Sequence, residues 1–154
     1  MYCEQLGYRE YHQLRAYAAE FEATPAGVAC EYEDQDQPED HPRLKRLGID
    51  VPTEFRHLIK HSDNSGFWFP VRFSNPVLID PETWLVAGSS HMLLDELDRL
   101  GVALNISRDW SQLARGEYPA PKDDPCGGVK TGWAILRAAA RLSVQHGLPI
   151  VFDG

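Results

Sequence analysis

No apolar run in this sequence approaches the roughly 20 residues that a membrane-spanning helix requires. Its opening stretch, MYCEQLGYRE, has no basic region followed by an apolar core, so no signal peptide is expected. Cysteine is scarce: Cys3, Cys30 and Cys126 lie far apart and make no CxxC pair. An odd count at wide spacing fits reduced thiols in a cytoplasmic protein and argues against a disulfide framework. HExxH, paired CxxC and EF-hand patterns are also missing, so neither a metal nor a cofactor is expected. Positive charge is the last deficit, with 15 Lys and Arg against 23 Asp and Glu, a net −8 at pH 7. That balance opposes binding to nucleic acid or to an anionic membrane, and favours a basic protein partner or plain solubility.

What is present suits an ordinary folded domain. The 154 residues fit one unit, 1–154, within the usual range of about 100–200. A chain of that length can bury a core without covalent or metal staples. YREYHQLRAYAAEFE carries Tyr11, Leu14, Ala18 and Phe21 on one stripe, which predicts a helix ended by Thr24-Pro25 and Gly27. PTEFRHLIKH predicts a second helix, with Pro52 in its first turn and Glu54 near its positive end. In GFWFPVRF, Phe67, Phe69, Val71 and Phe73 alternate with Trp68, Pro70 and Arg72, the period-two pattern of a strand. Pro70 cannot donate to a ladder, which puts that strand at a sheet edge or at a bulge. WLVAGSSHMLLDELDRLG reads as strand, small-residue turn and a helix ended by Gly101, with Leu93, Leu97 and Leu100 on its buried face. VKTGWAILRAAARLSVQHG is a last helix, with Lys130, Arg137 and Arg141 along one side, and LPIVFD a final strand. The class is α+β, about four helices on a sheet of roughly three strands, with an acidic loop at 31–40 and a Pro/Gly loop at 116–128.

Candidate chemistry gathers at two places. HSDNSG, residues 61–66, sets a histidine, a serine and an aspartate side by side, but neighbours in one turn point apart and cannot converge as a triad. Asp, Asn, Ser and Gly are turn formers, so the run reads first as a turn. AGSSH, residues 87–91, resembles a nucleophile elbow, except that His91 replaces the second glycine of G-x-S-x-G. Ser89 or Ser90 can instead cap the following helix. His57 and His61, four apart, could share a helix face; without a third ligand they read as a solvated pair.

The order GFWFPVRF, GSSHMLLDELDRLG, AARLSVQHGLPIVF resembles small acidic bacterial proteins of uncharacterised function, over about residues 50–152. That resemblance implies no activity. VPTEFRHLIKHSDNSG is similar to the opening of SUKH-type immunity domains, with Asp63-Asn64-Ser65-Gly66 in place of their Asn-Gly-Gly.

Two functions follow. The first is a protein-binding protein of the cytoplasm, an immunity or inhibitor protein acting on a basic partner. Its contact residues would be Glu31, Glu33, Asp34, Asp36, Glu39 and Asp40, six carboxylates among ten residues without a base, together with Trp68 and Arg72. The alternative is a small hydrolase or transferase using His61, Asp63, Ser89 or Ser90, and His91.

Overall fold

The computed structural model describes residues 6–28, 30, 51–61, 65–106 and 123–153. Within them the chain forms α1 (Tyr8–Ala23), α2 (Arg56–Ile59), β1 (Ser65–Phe69), β2 (Val77–Asp80), β3 (Leu85–Ser89), α3 (Ser90–Ala103), α4 (Gly127–His146) and β4 (Ile150–Asp153). This is an α+β fold, with one strand more than the pattern predicts. The sheet runs β2-β3-β1-β4, with β1 parallel to β3 and the other two pairs antiparallel. α1 and α3 both pack on α4.

The long helices follow the apolar periodicity. Tyr11, Leu14 and Ala18 are buried on α1, which stops at Thr24, the residue before Pro25. Leu93, Leu97 and Leu100 are fully buried on α3. α4 ends on Gly147, whose left-handed φ of 67° suits a residue without Cβ. α3, however, continues past Gly101 to Ala103. That glycine serves packing, because a Cβ there would stand 2.7 Å from Cζ2 of Trp133.

Three elements depart from expectation. The helix predicted over residues 52–61 is a single turn, Arg56–Ile59, since Thr53 Oγ1 takes the Phe55 N–H (3.1 Å) and donates to Glu22 (2.6 Å), holding the approach outside the helix. β1 is an interior strand and ends at Phe69, so Pro70 falls beyond the ladder. Its alternation is also the reverse of a phenylalanine-inward reading. Trp68 is fully buried, while Phe69 and Val71 are 37% and 60% exposed. Trp68 fits inward because its indole N–H finds the His57 carbonyl (2.9 Å) and its ring stacks on His61, centroids 3.6 Å apart. Gly88 lines the same slot, and a Cβ on it would collide with the indole. β2 escapes the pattern because Val77, Leu78 and Ile79 are all exposed, leaving no alternation to read.

The cysteines also depart. Cys30 and Cys126 form a disulfide, Cα atoms 4.8 Å apart across 96 residues of sequence, and are not free thiols. No helix among the described residues is long and apolar enough to cross a membrane.

Trp133 is 2% exposed and donates its indole N–H to the Leu97 carbonyl (2.6 Å). Trp133→Ala should therefore destabilise the fold by about 3–5 kcal/mol in urea titration, as large aromatic truncations in cores do. A loss under about 0.5 kcal/mol, typical of surface substitutions, would show that the indole is not core.

Candidate functional site

The most concentrated polar chemistry among the described residues is inside the fold. Glu96 sits on the apolar stripe of α3 and is 5% exposed. Its two carboxylate oxygens accept the His57 and Leu58 backbone N–H groups, at 3.0 and 2.9 Å, at the start of α2. The His57 ring continues the network. Nδ1 accepts the Ser89 backbone N–H (2.9 Å), which leaves the proton on Nε2, facing the Ser74 carbonyl at 3.3 Å. Burial holds His57 down to about 4, favouring the neutral ring that this bonding needs. Burial pushes Glu96 up to about 8, against the two backbone donors and the nearby Arg99 and Arg56, all of which favour the carboxylate. Residue-type patterns single out neither Glu96 nor its bonding to His57. The available signal is a carboxylate lying within the Leu93–Leu97–Leu100 stripe.

Of the alternative catalytic set, the structure describes His61, Ser89, Ser90 and His91. Ser89 and Ser90 are both fully buried. Ser89 Oγ caps α3 by accepting the Met92 N–H at 3.3 Å. Ser143 Oγ donates to the Leu148 carbonyl (2.5 Å), so the Ser90 hydroxyl donates to Ser143 Oγ (2.6 Å), a relay joining α3, α4 and the approach to β4. His61 is buried against Trp68 with Nε2 donating to the Phe67 carbonyl (3.1 Å), and His91 lies half-buried in the first turn of α3. Asp63 lies outside the described residues. His57 and His61 are interior groups, not the solvated pair that their spacing suggests.

Several carboxylates on the described fold are matched by bases. Asp95 pairs with Arg72 (2.8 Å), Asp98 with Arg137 (2.6 Å), Glu54 with Arg99 (3.5 Å) and the more buried Asp124 with Lys130 (2.7 Å). Such surface pairs add little stability, about 0–1 kcal/mol, but they cancel the local field. Most of the acidic excess lies in one stretch of the sequence. Residues 31–40 hold six carboxylates, leaving 17 acidic residues to face 15 basic ones in the rest of the chain. Glu31, Glu33, Asp34, Asp36, Glu39 and Asp40 lie outside the described residues. Of the other expected contact residues, Arg72 is exposed, whereas Trp68 is in the core and cannot meet a partner at the surface.

A protein-family model described as "Putative DNA-mimic protein" matches residues 1–152. The chain belongs to that family. No curated protein and no solved structure matches it. Membership in the DNA-mimic family corrects the SUKH resemblance. That resemblance rested on a Pro-led helix running into a glycine turn, and the structure has only the turn Arg56–Ile59 there. The family also corrects the immunity or inhibitor reading, and with it the expectation of a partner unconnected with nucleic acid. Negative charge at this density repels nucleic acid because it is of the same kind.

The Glu96–His57 pair has a definite pH signature. A folded Glu96 that titrates near 8, against an unfolded value of 4.5, gives stability fully present below pH 4.5 and lost as pH rises through 8. A folded His57 near 4, against 6.5 unfolded, gives stability present above 6.5 and lost as pH falls through 4. The two slopes oppose each other between 4.5 and 6.5, and only the Glu96 loss remains above. Stability should stay level across the first window, as far as these two groups decide it, then fall by on the order of 1–2 kcal/mol between pH 6.5 and 8. In Glu96→Gln that fall should vanish, whatever its overall stability. An unchanged fall in the variant would assign it to another group.

Proposed function

We propose that this protein presents carboxylates as phosphate surrogates to the DNA-contacting surface of a DNA-binding protein. The observation that carries the reading is the run Glu31, Glu33, Asp34, Asp36, Glu39 and Asp40, which holds no base and most of the net charge. Even fully extended, ten residues reach no further than about 35 Å, or roughly one charge per 6 Å. One DNA strand carries a charge per about 3.4 Å of axis, so the run has at least about half that linear density. The ion pairs on α3 and α4 support the same assignment from the other side, since they leave the described helices nearly neutral. Membership in the DNA-mimic family supports it independently of the charge count. The place of action is the cytoplasm, where bacterial DNA and its binding proteins are found.

The mechanism needs no chemistry. Lys and Arg side chains that bind phosphate would meet carboxylates of like charge, so protein and DNA would compete for one surface. Steering by the run should speed encounter more than it slows dissociation.

Host DNA-binding proteins retained on the immobilised protein should be released by short duplex DNA, and binding should weaken steeply with salt. Replacing Glu31, Glu33, Asp36 and Glu39 by their amides should lower the association rate at least tenfold at low salt and flatten its salt dependence. The melting temperature should hold or rise slightly as self-repulsion falls. Retained proteins that duplex DNA fails to displace would overturn the reading.

A further inference from the structure

One face of the sheet shares the core with the described helices, and Trp68, Ile150 and Phe152 enter the buried cluster from it. Alternation sends their strand neighbours to the opposite face. There the register aligns a row across all four strands. Val77 of β2 stands beside Ala87 of β3, Ala87 beside Phe67 of β1, and Phe67 beside Val151 of β4. Phe69, two residues on from Phe67, stacks against it with ring centroids 5.9 Å apart. Both ends of the row meet solvent, Val77 being 54% and Val151 61% exposed, and Phe69 is 37% exposed. The solvent side of a sheet covered on one face ordinarily carries polar residues at such places.

We propose that this outer face is a contact between two copies of the chain, packed sheet on sheet about a two-fold axis. Sheets packed in this way lie about 10 Å apart, with their strands crossing at about 30°. A two-fold contact needs a surface that matches itself. A row that is apolar from end to end does so, because each side chain meets another apolar one.

Charge also selects a second copy. The chain carries −8, so a basic partner is drawn to its carboxylates, and this row offers none. A charged partner laid on Phe67 and Val151 would lose hydration without gaining an ion pair. Two copies lose no such hydration there. Asp80, at the end of β2, accepts the Glu82 N–H (2.9 Å) and the Thr83 hydroxyl (2.7 Å), which turn its carboxylate into the β2–β3 turn.

Area sets the strength. Four strands spaced about 4.8 Å and about 16 Å long cover roughly 300 Å² in projection, a size that is commonly functional on a monomer surface. Two such faces together bury on the order of 600–1,000 Å², below the roughly 1,200 Å² of stable specific pairs. The dimer is therefore weak and exchanges rapidly. Repulsion between two chains of −8 weakens it further at low salt. The contact is apolar and stands apart from the DNA-mimic role.

Sedimentation equilibrium of the full chain tests it. Wild type should pass from monomer toward dimer between about 1 and 200 μM, with a Kd on the order of 10–100 μM. Raising NaCl from about 0.05 to 0.5 M should tighten the dimer about two- to fivefold, whereas a contact made by opposite charges would loosen. Val77→Lys/Val151→Lys should stay monomeric throughout. Val102→Lys, at an 83% exposed position on α3, should associate like wild type. Should the lysine pair fail to fold, Val77→Thr/Val151→Thr keeps strand propensity and should weaken the dimer at least about threefold. Wild type that remains monomeric at the highest concentration and salt would overturn the proposal. So would a dimer that both face variants leave intact, or one that Val102→Lys abolishes as well. A host protein retained by wild type and lost from the lysine pair, without self-association, would give the face to another partner and overturn the contact between copies.

Discussion

Two backbone N–H groups at the start of α2 point into the core, where an unmet donor costs about 1–3 kcal/mol, and the Glu96 carboxyl group accepts both. The rest of the centre depends on that bond pair. It fixes His57, whose ring accepts the N–H of Ser89 at the junction of β3 and α3, and whose carbonyl takes the indole N–H of Trp68. Trp68 then fills the slot between His61 and Gly88 and decides which face of β1 is inside. One carboxylate thus places a helical turn, a strand register and a helix start. Ser89 in turn caps the helix it begins, its Oγ accepting the Met92 N–H.

Where burial alone decided structure, the sequence was legible. α1, α3 and α4 carry their apolar residues at helical spacing, and local cues such as Thr24-Pro25 and Gly147 mark two of their ends. β1 was harder, because both of its faces are apolar and alternation alone cannot choose between Phe67 and Trp68. The choice was made by hydrogen bonding, through an acceptor contributed by His57, eleven residues away in the chain. The same holds for Gly101, which looks like a helix end and is a contact point for Trp133. A disulfide across 96 residues has no local signature at all. Of the candidate site, only the acidic run could be read from residue types, and its meaning could not.

That last gap has a physical basis. A net charge of −8 identifies the sign of a partner surface and nothing finer. A protein that attracts any basic surface and one that stands in for a polyphosphate backbone have the same composition. They differ in what the partner binds when the protein is absent, which is not encoded in this chain. Family membership bears on that missing term, and composition does not.

The distribution of charge separates the two tasks of the molecule. Within the described fold, ion pairs and a largely buried carboxylate keep the field local, so stability rests on packing and on the Glu96–His57 bonds. Six of the eight net negative charges fall within ten residues of sequence. Repulsion among those six carboxylates would weigh against any compact element that had to contain them.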